Sequence, residues 1–316
     1  MNCLYCGKPL PANDADIGWH KACIKHFFGT RDIPELDISG AALERLAIES
    51  VNKGFTVTGA QKKLSLHLVS ADSPRLTLVD YPTGYILKPQ TEEYPAMPES
   101  EHLVMRMAEV CGIQTVPCAL MKINNEFSYI TKRVDRIIEH GTSPGMLAME
   151  DFCQLDLRLS QDKYKGSYER CSKIIWKYSS RQGFDLTELY LRLAFSFLIG
   201  NSDMHLKNFS LIETSVGSNQ YTLSPAYDLL PVNIIMPEDT EEFALTMNGK
   251  KKNLHRKDFL TFAETSGLSR KPAEKILDKM ISMQSRLEAM IAESLLPGKL
   301  KEAFLNLLSS RVATIQ

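Results

Sequence analysis

Gly200-Asn201-Ser202-Asp203-Met204-His205-Leu206-Lys207-Asn208-Phe209-Ser210 is the stretch on which the reading of this chain turns. It follows an apolar run, Leu189–Ile199, and leads into a short β-type segment. Asp203 stands five residues ahead of Asn208. That is the spacing of a phosphotransfer loop, in which the Asp accepts or orients a hydroxyl proton and the Asn holds magnesium. Asp and Asn also cap helices and make turns for local hydrogen-bonding reasons, so the pair alone decides little. A second acid is needed for the metal that bridges the phosphates. Asp228, in Ser224-Pro225-Ala226-Tyr227-Asp228-Leu229, follows at the right point in the order. Asn208 and Asp228 then supply the protein's share of a magnesium shell, the rest being phosphate and water.

Upstream, Gly84-Tyr85-Ile86-Leu87-Lys88-Pro89 reads as a strand ending in a lysine, and Glu101 lies thirteen residues beyond Lys88 on a predicted helix, 99–111. A strand lysine on ATP phosphates, oriented by a helix glutamate, is an electrostatic clamp for phosphoryl transfer. A lone strand lysine is more often a snorkelling surface residue. Phe55-Thr56-Val57-Thr58-Gly59-Ala60-Gln61-Lys62-Lys63-Leu64-Ser65 is a small, polar loop entering a strand, able to bring backbone N–H groups close to phosphates. It is neither a Walker A sequence nor GxGxxG, and a plain hairpin turn would look similar.

Outside these motifs the chain is ordinary. Its 316 residues suffice for one large two-lobed domain or two smaller ones, and 44% hydrophobic with 24% charged residues describes a globular protein. A net charge of -1 argues against a surface built to coat nucleic acid. Lys250-Lys251-Lys252 with His255, Arg256 and Lys257 reads as a solvated turn and helix start. Leu189–Ile199, interrupted by Arg192, reads as a buried helix and not a membrane span. The first residues lack the regions of a signal peptide, and seven cysteines form an odd set, both of which point to the cytoplasm.

Hydrophobic periodicity predicts a helix over Ala41–Asn52. Short strands follow at Leu64–Val69, Leu76–Val79 and Tyr85–Leu87, then a helix from about Pro98 to Cys111 stopped by Gly112. Strands at Cys118–Ile123 and Phe127–Thr131 complete the sheet. Beyond Gly145 the pattern turns helical, with Glu150–Leu157, Tyr168–Tyr178 and Leu186–Ile199, a β interval between Phe209 and Leu223, and helices from His255 to Val312 broken at Gly267 and Pro297-Gly298. The order is that of an α+β chain, sheet with one helix and then mostly helix, which is a bilobal kinase layout.

Cys3-x2-Cys6 and His20-x2-Cys23 form a Cys₃His set with thirteen residues between the two pairs. Such spacing suits tetrahedral structural zinc, and a module this small needs a closure of that kind. The plain alternative is a set of buried cysteines packed with Trp19 and His20. Cys111, Cys118, Cys153 and Cys171 sit in apolar segments and read as small core residues.

Together the segments resemble the HipA family of toxin kinases. The matching motifs are Thr58–Ser65, Ile86–Pro89, Pro98–His102 leading to Cys111-Gly112-Ile113, Thr131–Arg136, Met149–Gln154, Asn201–Ser210 and Ser224–Asp228, in family order. The resemblance implies a protein-kinase/phosphoinositide-kinase-like fold with a sheet-containing N-lobe over 39–135 and a mostly helical C-lobe over 136–316. A small zinc-ribbon-like module over 1–38 would precede them.

The resemblance further implies that Thr58, Gly59, Ala60, Gln61 and Lys63 cover ATP phosphates and that Lys88 binds ATP. Lys132, Arg133 and Val134 would form the hinge that meets adenine. Asp203 would be the catalytic base. His205, Lys207, Asn208 and Tyr227 would line ATP, and Asp228 would join Asn208 on Mg2+. Family members autophosphorylate on a serine in or near the loop; here Thr56 and Thr58 hold those positions, and phosphothreonine carries the same charge. Family substrates are aminoacyl-tRNA synthetases, and an antitoxin of the HipB type restrains the kinase, with DNA reached only through it. The start of the chain is similar to the shorter HipT form, for which a separate HipS-like small protein supplies the missing piece. Alternatives are a small-molecule or lipid-type kinase and a catalytically weak ATP-binding regulator.

Overall fold

The computed structural model describes residues 2–36, 63–69, 74–77, 84–137 and 145–316. The helix predicted over Ala41–Asn52 and the loop residues Thr56, Thr58, Gly59, Ala60 and Gln61 lie outside them. The chain divides into two compact units, Met1–His102 with Val116–Ser143, and Leu103–Thr115 with Pro144–Gln316.

The first unit is built on a six-stranded sheet in the order β1-β3-β2-β4-β6-β5. Its strands are β1 (Glu35–Leu36), β2 (Leu64–Val69), β3 (Arg75–Thr77), β4 (Tyr85–Pro89), β5 (Cys118–Ile123) and β6 (Glu126–Lys132). β4 is central, pairing antiparallel with β2 (Leu64 opposite Leu87) and with β6 (Lys88 opposite Tyr129, Tyr85 opposite Lys132). Side chains alternate along a strand, so Tyr85 and Lys132 share one face of the sheet while Lys88 and Tyr129 share the other. Helix α1 (Lys21–Phe28) precedes the sheet and closes on Gly29, whose φ of 76° suits a residue without Cβ.

Helix α2 (Met97–Cys111) follows β4 and is common to both units by sequence. It stops where Gly112 turns left-handed at φ 89° and its N–H bonds Glu109 O, while the Ile113 N–H reaches Ala108 O at 3.0 Å.

The second unit carries β7 (Met149–Asp151), α3 (Phe152–Leu155), α4 (Tyr168–Tyr178), α5 (Gln182–Ile199), β8 (Ser210–Glu213), β9 (Tyr221–Leu223) and α6 (Val232–Ile235). After these come α7 (Arg256–Thr265), α8 (Arg270–Ser282), α9 (Gln284–Glu293) and α10 (Gly298–Ile315). β9, β8 and β7 form a three-stranded antiparallel sheet. The single helix expected over Glu150–Leu157 is a strand followed by one helical turn. Met149 and Glu150 pair with Ile212 and Leu211, and the Asp151–Gln154 capping box starts the helix only at Phe152. Pairing with a distant strand, invisible to local periodicity, overrode the local helical pattern.

α5 is buried along most of its length, and its one cation is compensated: Arg192 Nε bonds Glu188 Oε1 at 3.0 Å and an Nη reaches Ser224 O at 2.7 Å. Among the described residues no helix is long and apolar enough to cross a membrane. Lys250–Lys252 falls on a turn ahead of α7, with Lys250 on Asp258 at 2.7 Å and Lys251 on Glu241 at 3.1 Å.

Candidate active site

Two groups of site residues emerge, one in each unit. In the first, β4 delivers Lys88 to Glu101, one turn into α2. Lys88 Nζ donates to Glu101 Oε1 at 2.5 Å, with the two residues 4% and 0% exposed, and Nζ also lies 5.2 Å from the Tyr129 ring centroid. The ion pair is buried, and its partners come from a strand and a helix, so a rigid frame orients the lysine. Lys63, just ahead of β2, is exposed.

The expected hinge behaves differently. Lys132 turns to the Tyr85 face, where Nζ reaches His26 O at 3.5 Å and lies 5.4 Å from the Phe27 ring centroid; burial lowers its pKa. Arg133 forms a two-pronged ion pair with Asp135 at 3.0 and 2.7 Å, and its N–H bonds Gly84 O. The structure does not bring the Lys132 side chain to the Lys88 face of the sheet. Val134 follows in a turn and is partly exposed.

In the second unit the loop after α5 is tightly built. Gly200, at φ 69°, ends the helix, and a Cβ there would come within 2.5 Å of Leu307 Cδ2, so both backbone angle and space require glycine. Asn201 is 1% exposed and accepts the Asp203 N–H on Oδ1 at 3.3 Å. His205 N–H and Asn208 Nδ2 both donate to Asp203 O, at 2.8 and 2.9 Å. With its amide nitrogen spent on that carbonyl, Asn208 has Oδ1 to offer a cation. The His205 ring stands edge-on to Tyr164, with Nε2 3.9 Å from Asp203 Oδ2.

Asp203 Oδ1 accepts from the Tyr164 hydroxyl at 2.8 Å. Its side chain keeps 44% exposure, yet the surrounding protein displaces enough water to raise its pKa. Tyr164 and Lys163 pull that pKa down, whereas Asp228 and Asp239 push it further up. Asp228 sits at φ 60°, a left-handed conformation that Asp tolerates better than most residues. Its segment is fixed two residues earlier, where Ala226 N–H donates to Gln114 O at 2.7 Å just after α2. Tyr227 donates its hydroxyl to Lys207 O at 3.0 Å and accepts from Ser210 Oγ at 2.5 Å, and burial raises its pKa. Lys207 Nζ is engaged with Asp151 at 2.8 Å.

Asp203, Asn208 and Asp228 are oxygen donors, and the charge of Asp228 opposes the ionisation of Asp203. Such a set fits a divalent cation such as Mg2+, which would relieve that opposition. Tyr164, Lys163 and Asp239 were not singled out in the sequence. They lie far from the loop in the chain and carry no motif; only the fold brings them to Asp203.

Comparison with known proteins gives the family of the chain. The family model described as HipA-like C-terminal domain matches residues 55–287. A Haemophilus influenzae protein named "Putative kinase" is 25% identical over 345 residues, covering 99% of this chain and 97% of its own. A chain of the solved Shewanella oneidensis MR-1 complex of HipA, HipB and operator DNA aligns with a TM-score of 0.68 at 19% identity. That alignment covers 82% of this chain and 65% of the other, so this chain spans just under two thirds of it. The Helicobacter pylori kinase CtkA aligns with a TM-score of 0.53 at 16% identity, covering 79% of this chain and 91% of its own. At those identities the two structures are evidence of a shared fold. With most of its length matched by the family model, the chain belongs to the HipA-like C-terminal domain family.

Proposed function

We propose that this protein is an ATP-dependent serine/threonine protein kinase that acts as the toxin of a toxin–antitoxin pair. The observation that carries the reading is the loop Gly200–Phe209, where the Asp203 carbonyl accepts from Asn208 Nδ2 at 2.9 Å and its carboxylate accepts from the Tyr164 hydroxyl at 2.8 Å. The family membership and the kinase name of the Haemophilus relative support it.

Bound Mg-ATP would supply the phosphoryl group and the positive charge that the oxygen donors call for. Asp203 accepts the proton of the substrate hydroxyl, and its raised pKa makes it a better base than an ordinary aspartate. Asn208 Oδ1 and the Asp228 carboxylate would hold the metal. Lys88, fixed by Glu101, binds phosphate oxygens. Thr58, Gly59, Ala60, Gln61 and Lys63 would cover the phosphates, Lys132, Arg133 and Val134 would meet the base through their backbone, since the Lys132 side chain turns to His26, and His205, Lys207 and Tyr227 would complete the nucleotide surround. We assign residues 39–135 to a sheet-bearing N-lobe and 136–316 to a helical C-lobe. Thr56 or Thr58 takes the autophosphorylation mark. A translation protein such as an aminoacyl-tRNA synthetase is the substrate, and a HipB-like antitoxin, with or without a HipS-like protein, is the partner.

Incubation with labelled ATP and Mg2+ should label protein hydroxyls in a cell lysate, and Asp203→Asn should not. Transfer only to small alcohols or lipids would overturn the protein-kinase assignment. ATP binding without any transfer would overturn the enzyme assignment.

A further inference from the structure

Cys3, Cys6, His20 and Cys23 take no part in phosphotransfer, yet they converge. One ligand atom from each lies within 4.8 Å of all the others. His20 Nδ1 is 3.4 Å from Cys6 Sγ and 3.6 Å from Cys23 Sγ. A tetrahedral zinc with Zn–S about 2.3 Å and Zn–N about 2.0–2.1 Å has S···N edges of about 3.5 Å, which these separations bracket. His20 Nε2 lies 3.0 Å from Pro9 O; a proton donated there leaves the Nδ1 lone pair facing the thiols, the usual second bond of a metal-binding histidine. Cys3 and Cys6 sit on a tight turn, with Gly7 at φ 69° donating to Cys3 O at 2.9 Å. His20 and Cys23 come from the start of α1. The ligands thus come from a turn and a helix end, not from the two matched turns of a zinc ribbon. None of the seven cysteines is in a disulfide, and one disulfide here would strand the third thiol and the imidazole.

The same module is fastened across the sheet. At one edge, Leu4 O accepts the Leu120 N–H of β5 at 2.9 Å. At the opposite edge, β1 pairs with β3 and Glu35 N–H reaches Pro74 O. Between them Phe27 and Phe28 lie 5.9 and 5.7 Å from the Tyr85 ring, and the Tyr85 hydroxyl donates to Phe27 O at 3.2 Å. These contacts use the face of β4 opposite Lys88.

We propose that Cys3, Cys6, His20 and Cys23 bind one Zn2+, and that the metal-closed module is a brace that holds the sheet carrying Lys88 in register. A segment of this size has too little core to hold itself, so its contacts with the sheet depend on the metal. The bracing half rests on Lys88 only for its importance to phosphotransfer; the metal and the mechanical link stand apart from that reading.

The test uses the full chain, purified with reductant and without chelator. Elemental analysis should find about one zinc per chain, lost in Cys3→Ser/Cys6→Ser. Where that variant fails to fold, the wild-type protein exchanged into Co2+ should show the visible bands of a three-thiolate tetrahedral site. A folded wild-type chain that takes up neither metal overturns the site. For the brace, hydrogen exchange is followed before and after zinc removal by a strong chelator. The Leu120 amide and the amides of 85–88 should exchange about tenfold faster without metal and recover when zinc is returned, while those of Leu186–Ile199 stay constant. Zinc loss with unchanged exchange in the sheet overturns the brace. Zinc, bracing and no phosphotransfer in wild-type protein would sink the kinase reading and leave this one intact.

Discussion

The two groups of site residues solve opposite electrostatic problems. Lys88 and Glu101 are buried and neutralise each other at 2.5 Å, so that group is assembled before any ligand arrives. Asp228 and Asp239 oppose the ionisation of Asp203, whose side chain is 44% exposed, while Tyr164 and Lys163 favour it. The first region stores its order in the fold; the second leaves its charge to be completed by a cation. The difference predicts that the first is sensitive in stability and the second in rate.

The largest expected effect is on rate. Asp203→Asn should lower phosphotransfer about 10³-fold or more, roughly 4 kcal/mol of transition-state stabilisation, in a steady-state assay with labelled ATP. Because folding raises the Asp203 pKa, its ionised form costs the folded state stability at every pH above that raised value. The same variant should therefore melt slightly higher near neutral pH. A lower melting temperature with unchanged rate would reverse the comparison.

Glu101→Ala should show the opposite balance. Leaving Lys88 buried without its carboxylate costs about 3–5 kcal/mol, read by denaturant or thermal unfolding. Lys88→Met/Glu101→Leu should recover much of that stability while phosphotransfer stays lost. If the double variant is no more stable than the single, an uncompensated buried charge is not the source of the loss.

Smaller effects probe the tuning of Asp203. Tyr164→Phe removes a hydroxyl that stabilises the carboxylate, worth about 1 kcal/mol. The acid limb of the rate profile should move to higher pH, with a several-fold loss of rate below it. Asp239→Asn removes a repelling charge, so the limb should move the other way, to lower pH. Limbs that move together, or not at all, would break the assignment of Asp203 as the titrating base.

Local signals made much of this legible. Helix α4 spans Tyr168–Tyr178 as its apolar spacing predicts, with the Ser167 side chain capping the Arg170 N–H. The strands Leu64–Val69 and Cys118–Ile123 fall where alternation and turn residues put them. Cys111, Cys118, Cys153 and Cys171 are buried, as their apolar neighbours suggest. Gln182–Asp185 was missed as the start of α5 because Gly183 and Asp185 weaken the helical pattern, while Asp185 is held in place by Ser179 Oγ and Leu223 N–H from other elements. Met149–Asp151 was misread because its partner, β8, lies some sixty residues away.

What the sequence by itself determined is local: caps, periods, glycines at left-handed turns, the Asp203-to-Asn208 spacing and the Cys₃His spacing, each set by chemistry between near neighbours. What only the tertiary structure decided is the environment of those groups. Tyr164 and Asp239 reach Asp203, Lys132 turns to the module face while Lys88 turns to Glu101, and Leu4 and Glu35 tie the module to opposite edges of the sheet. The reason is that charge, desolvation and strand pairing depend on distance through space, which the order of residues along the chain does not specify.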